Sequence, residues 1–262
     1  MKFLVPVAAA AIGVVMFATA AQAAKCSSTG AAFESWKKTF AVEAKSNGAG
    51  SRAISALKGT KYSTGTIRAD RNQKSFKLSL DAFMAKRGAS AIVARGRKLK
   101  AANAGLFASI QKRYGVPAGP LIAIWGMETG FGSVTGSQNT ISAVATLAYD
   151  CRRTGFFTEQ LYAALKLIDR GVMSASTRGA MHGEVGQTQF LPKNILLYGT
   201  DGDGGGVNLN GKADALASTA KFLKGHGWSG RGPYRASSFA AWNAASVYQK
   251  ALAIIASKID GE

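Results

Sequence analysis

The sequence is poor in acid, in cysteine and in histidine, and each shortage excludes something. Fourteen Asp and Glu stand against thirty-three Lys and Arg in 262 residues, a formal charge of +19. The two cysteines, Cys26 and Cys151, sit in no metal-ligand spacing, and His182 and His226 are too far apart in sequence to suggest a zinc pair. Alternating apolar–polar runs are scarce, which argues against a β-rich fold. There is no internal repeat and no low-complexity linker, so an array or a string of domains is not expected.

What is present begins with an export signal. Lys2 gives a positive start, an apolar stretch follows to Ala21, and Ala21-Gln-Ala23 offers a small-residue cleavage site. Residues 1–23 therefore read as a signal peptide and 24–262 as the working domain, with an uncleaved anchor as the alternative. Lys25 stands where a lipidation motif before Cys26 needs a small residue. No later apolar run reaches membrane length, so no stable membrane anchor is expected after cleavage. In an exported chain an even cysteine pair suggests one disulfide, Cys26 to Cys151, with two free thiols as the alternative.

The strong positive field favours polyanions. For an exported protein these are the cell wall and the membrane surface. No recognised nucleic-acid motif supports a nucleic-acid partner.

Helical spacing of apolar residues runs through 30–57, 70–83, 91–114, 120–127, 140–149, 156–169, 212–225 and 239–258. Glycine-rich loops occupy 179–186 and 199–211, with room for a short hairpin near Val207-Asn-Leu209. The expected fold class is mainly α, a single compact unit with at most a small β hairpin.

Within this pattern, Leu121-Ile-Ala-Ile-Trp-Gly-Met-Glu128-Thr-Gly places one carboxylate at the end of an apolar run, just before a glycine break. A carboxyl group in an apolar wall tends to keep its proton, which is what a general acid requires. The plainer reading is a core helix ending in solvent.

Several ordered motifs then carry a resemblance. Tyr114-Gly-Val-Pro117, Ile124-Trp-Gly-Met-Glu-Thr-Gly-Phe-Gly132, Ala145-Thr-Leu-Ala-Tyr149 and Gly186-Gln-Thr-Gln-Phe-Leu-Pro192 are followed by Asp214-Ala-Leu-Ala-Ser-Thr-Ala220, Gly225-His-Gly-Trp228 and Trp242-Asn243. The series resembles the membrane-bound lytic murein transglycosylase B type, here as a soluble periplasmic variant with a lysozyme-like catalytic domain. The resemblance implies cleavage of the MurNAc-β-1,4-GlcNAc bond of peptidoglycan, with a 1,6-anhydromuramyl product. It places Glu128 on the single catalytic acid/base and Arg152, Arg153, Gln189, Asn243 and Tyr248 on glycan-binding positions. Where the family often has a serine near the glycine-rich loop, this chain has Ala180. The expected partner is the glycan strand, and the expected state is a monomer in the periplasm.

Ordinary glycosidases need two carboxyl groups, about 5–10 Å apart. By elimination, Glu34, Glu43, Asp70 and Asp81 read as surface ion-pair partners, while Asp150 and Glu184 remain as second-carboxylate candidates. A lytic transglycosylase can dispense with the second, because the substrate's acetamido oxygen and C6 hydroxyl act in its place. If Glu184 does serve, the chain is a hydrolytic muramidase. A wall-binding protein without activity is the other alternative.

Asp201-Gly-Asp-Gly-Gly-Gly resembles the start of an EF-hand loop, with Asp201 and Asp203 as ligands and Asp214 nearby. Position 5 is Gly205 and position 12 is Lys212, so weak calcium binding, or no cofactor at all, is expected.

Overall fold

The computed structural model describes residues 25–72, 77–230 and 232–261. The leader expected over 1–23 lies outside the described residues, as does Phe76 of the helix expected over 70–83. Among the described residues there are twelve α-helices and one two-stranded sheet, and no helix is long and apolar enough to cross a membrane.

The centre is α7 (Ala118–Thr129), which follows Tyr114-Gly-Val-Pro117; every residue in it is buried except Glu128. Such a helix needs neighbours on all sides. It packs along α12 (Ser246–Asp260) and against α5 (Ala89–Ala102), with α6 (Ala104–Tyr114) and α11 (Lys212–Gly225) alongside. Two glycines make this possible. A Cβ on Gly119 would lie 2.6 Å from the Ala256 carbonyl oxygen, and one on Gly126 would lie 2.5 Å from Ile92. At its far end, Gly130 takes the left-handed conformation that closes a helix, and its amide donates to the Gly126 carbonyl.

A second group surrounds α8 (Thr140–Tyr149) and α9 (Thr154–Asp169). There α1 (Phe33–Ser46), α2 (Ser51–Lys58), α3 (Thr64–Arg71) and α10 (Pro192–Tyr198) pack. Phe33, Trp36, Tyr62 and Tyr149 form one aromatic cluster in this half, with centroids 5.4–6.1 Å apart. Cys26 and Cys151 are joined as a disulfide, which ties the start of the described chain to the α8–α9 turn. Backbone pairing of Ser27 with Tyr149 reinforces the tie.

Five sequence expectations are corrected. The run 30–57 breaks over 47–50 between α1 and α2, and only 246–258 of the run 239–258 is α-helical. The run 91–114 is two helices, α5 and α6, because Asn103 leaves the helical conformation between them. The run 70–83 is also divided: α3 stops at Arg71, and α4 (Leu80–Lys86) starts from a Ser79 cap. No hairpin forms at Val207–Leu209; the two-stranded sheet instead pairs β1 (Gln138–Asn139) antiparallel with β2 (Arg178–Gly179), Gln138 opposite Gly179. Those strands are some forty residues apart in sequence, and two-residue strands carry no periodicity to read.

Candidate active site

Glu128 emerges at the end of α7 and is half-buried. Its Oε1 accepts two hydrogen bonds, from the Tyr248 hydroxyl at 2.6 Å and from Trp242 Nε1 at 2.9 Å. Burial raises its proton affinity above the ordinary carboxylate range, and the nearby negative charge of Glu184 adds to this. The two hydrogen bonds and the Arg87 guanidinium act in the opposite direction without cancelling it. Tyr248 is itself pushed well above the usual phenol range, first by burial and then by Glu128, so it remains a donor. Both protein donors converge on Oε1. Among the described residues Oε2 receives none, which leaves it for a ligand.

The loop facing this carboxyl is held by close backbone approach. A Cβ on Gly179 would lie 1.9 Å from the Glu184 carbonyl oxygen, and one on left-handed Gly186 would lie 2.3 Å from that of Leu209. Only glycine fits either position. Gln189 also has a left-handed backbone, with φ of 58°. Its amide nitrogen donates to the carbonyls of Gly186 and Thr135, at 2.8 and 3.2 Å, so its amide bridges this loop to the turn after α7. The Trp125 indole donates to Gln187 Oε1 at 2.8 Å, and Thr129 donates to the Gln187 carbonyl at 2.6 Å, locking the same two segments together.

Glu184 is turned to His182. Its Oε2 accepts from the His182 backbone N–H at 3.0 Å, and its Oε1 lies 3.2 Å from His182 Nδ1. Burial raises the Glu184 proton affinity, but the His182 hydrogen bond and charge, with the local backbone N–H groups, outweigh it and hold the carboxyl ionised. Both Glu184 oxygens are thus engaged in bracing the loop.

Asp70 is not the surface partner that its basic helix suggested. Its side chain is 1% exposed, and it takes the guanidinium groups of both Arg152 and Arg153, with His182 Nε2 3.8 Å away. Asp150 is buried against Arg71. The residues matched to the glycan-binding positions therefore divide. Tyr248 contacts Glu128 directly and Asn243 follows Trp242, which does the same. Gln189 bridges the glycine-rich loop to the turn after α7, and Arg152 and Arg153 sit at the start of α9, already paired by a buried acid. Arg153 also covers the Phe157 ring at 4.7 Å. Sequence reading missed Trp242 as a donor to the carboxyl, although the Trp242-Asn243 motif pointed to its position.

The acidic loop brings three carboxylates together, each already held by backbone donors or exposed. Carboxylate oxygens of Asp201, Asp203 and Asp214 lie within 4.8 Å of one another. Asp201, however, accepts the backbone N–H groups of Asp203, Gly204 and Gly206. Buried Asp214 accepts those of Gly202 and Asn208, at 2.7 and 2.6 Å. Position 12 brings a cation, Lys212, whose ammonium reaches Asn103. Those donors lower the Asp201 proton affinity, Gly206 most of all.

A helical domain with one sheltered carboxyl over a glycine-braced loop defines the lysozyme-like class. The chain belongs to the family described as Transglycosylase SLT domain, which it matches over residues 32–244. It is 35% identical, over 118 residues, to membrane-bound lytic murein transglycosylase B of Escherichia coli (strain K12). That match covers 44% of this chain and a third of the relative's length (33%). Its fold is similar to that of SltB3 from Pseudomonas aeruginosa, crystallised with NAG-anhNAM-pentapeptide: TM-score 0.80, 28% identity, 88% of this chain and 80% of that one. Slt35 of Escherichia coli, crystallised with calcium, shares the fold at TM-score 0.72 and 20% identity, over 86% of this chain and 92% of that one.

Proposed function

We propose that the chain is a peptidoglycan lytic transglycosylase, exported to the periplasm after removal of residues 1–23 and acting there as a monomer. Glu128 is its only acid/base. The observation that carries this reading is the Glu128 carboxyl, its proton affinity raised by burial, with Oε1 held by Tyr248 and Trp242.

In this reading Oε2 carries the proton into the cleft and delivers it to the glycosidic oxygen between MurNAc and GlcNAc. The acetamido oxygen of the muramyl residue assists at the anomeric carbon as the C–O bond breaks. The resulting carboxylate then removes the C6 hydroxyl proton, and O6 closes the 1,6-anhydro ring. No water is consumed, because a held intramolecular nucleophile has a very high effective concentration. Gln189, whose two amide N–H groups are engaged by Gly186 and Thr135, offers its Oε1 as an acceptor, and Asn243, whose Oδ1 accepts from Ala245, offers its Nδ2 as a donor, to sugar hydroxyls and acetamides. Arg152 and Arg153, oriented by Asp70, face muramyl or peptide carboxylates. Glu184 serves the loop, since both of its oxygens are engaged with His182.

Mass analysis of digested murein tests the proposal. Anhydromuramyl ends are expected from the wild type and not from Glu128→Gln. Reducing muramyl ends would make the protein a hydrolase and return Glu184 to the chemistry. No new ends at all would make it a binding protein.

A further inference from the structure

The positive charge of the chain is unevenly placed. The segment from α4 to α6, residues 80–114, holds eight cations and a single acid, Asp81. By contrast, α9 and α10 carry two of each sign, Glu159 and Asp169 with Lys166 and Lys193. Lys86, Arg87, Arg95, Lys98, Lys112 and Arg113 are all exposed. Among the described residues none of these six is in a salt bridge with a carboxylate. The inner sides of the same helices, through Phe83, Ile92, Phe107 and Ile110, are buried in the core, so the cations occupy the outer sides.

This face runs up to the catalytic carboxyl. Arg87 lies over the Phe83 ring at 5.4 Å, and Phe83 meets the edge of Tyr248 at 6.0 Å. Tyr248 in turn donates to Glu128. No large hydrophobic side chain is exposed between residues 80 and 114 among the described residues. A surface that inserts into a lipid interface needs apolar or aromatic side chains beside its cations, and here only the cations are present.

We propose that the outer face of α4, α5 and α6 is a docking surface for the carboxylate-rich stem peptides of intact murein, holding the sacculus while the adjoining cleft works on one strand. This rests on the transglycosylase reading for its substrate but concerns residues away from the chemistry. Many weak charge contacts of this kind raise association rate and retention, and they decline with salt.

The test compares Lys98→Glu/Lys112→Glu with the wild type on insoluble sacculi and on soluble short muropeptides. On sacculi, pelleting and turnover at low salt are expected to fall about tenfold, with the difference closing as sodium chloride is raised. On soluble fragments turnover is expected to be unchanged, and Lys98→Gln/Lys112→Gln should lie between. Equal loss on both substrates, or no loss on sacculi, overturns the proposal. So does wild-type protein that pellets with phosphatidylglycerol vesicles and not with sacculi. If the wild type cut no murein, the transglycosylase reading would fail, while the pelleting comparison would still judge the docking surface.

Discussion

Tyr248 and Glu128 share a 2.6 Å hydrogen bond, in which a buried phenol donates to the carboxyl that ends the central helix. The bond favours the charged form of Glu128, while burial favours the neutral form and dominates. Removing the donor in Tyr248→Phe should therefore raise the Glu128 proton affinity further. The alkaline limb of kcat/KM, where the acid loses its proton, is expected to move upward. A hydrogen bond to an ionised group contributes about 1.5–3 kcal/mol, so proton donation, which leaves that anion without its donor, should slow roughly 10- to 100-fold. A pH–rate series on soluble muropeptides reads both effects; a limb that moves downward would contradict the assignment.

The same burial has a stability consequence. A carboxyl whose folded proton affinity exceeds its unfolded value favours folding most at low pH, and that benefit is lost as pH rises through the folded pKa. Glu128→Gln should consequently raise Tm at pH 8 relative to the wild type. The gain should shrink to nothing below about pH 4, the ordinary carboxylate range. Calorimetry at both pH values checks the sign.

Asp70 holds Arg152 and Arg153 from beneath. Asp70→Asn removes the buried charge and leaves two cations without their counter-ion. Loss of one member of a fully buried pair costs about 3–5 kcal/mol. Here the arginines are 46% and 39% exposed, so roughly 1–3 kcal/mol is expected after solvent screening. Urea unfolding measures it, and KM on murein should rise with kcat little changed.

The Cys26–Cys151 disulfide closes a loop with a sequence separation of 125 residues. Cross-links of that span stabilise by about 2–5 kcal/mol, largely by restricting the unfolded chain. Cys26→Ser/Cys151→Ser should lose that much. Unfolding of the wild type in dithiothreitol should reproduce the loss.

For the acidic loop, millimolar calcium should leave Tm within about a degree, since linkage stabilises only where binding is appreciable. Asp214→Asn should lower Tm whether or not calcium is added, because Asp214 braces Gly202 and Asn208 directly. A calcium-dependent rise of several degrees would restore a metal to the loop.

Much of this was legible in the amino-acid order. The apolar run ending in Glu128, the helical spacing around it and the ordered motifs led to the fold class and singled out the carboxyl that Tyr248 and Trp242 hold. The cysteine pair announced its own bridge. Asp70 was not legible, because a charged residue in a basic helix looks the same whether it faces water or two arginines from a distant turn. Nor was the β1–β2 pairing, which depends on contacts across some forty residues. The single-helix reading of 91–114 failed because Asn103 interrupts a run whose apolar spacing continues on either side. Local periodicity does not register such a break.

The position of the acid is set partly by what the central helix omits. With no side chains at Gly119 and Gly126, α7 lies against α12 at one end and α5 at the other. A methyl group at either glycine would act as a shim, displacing the rod that carries Glu128 away from Tyr248 and Trp242. The alignment of the carboxyl would thus be lost through steric wedging, in the case of Gly119 from nine residues away, about 13 Å of helix rise, with every polar group of the site still in place.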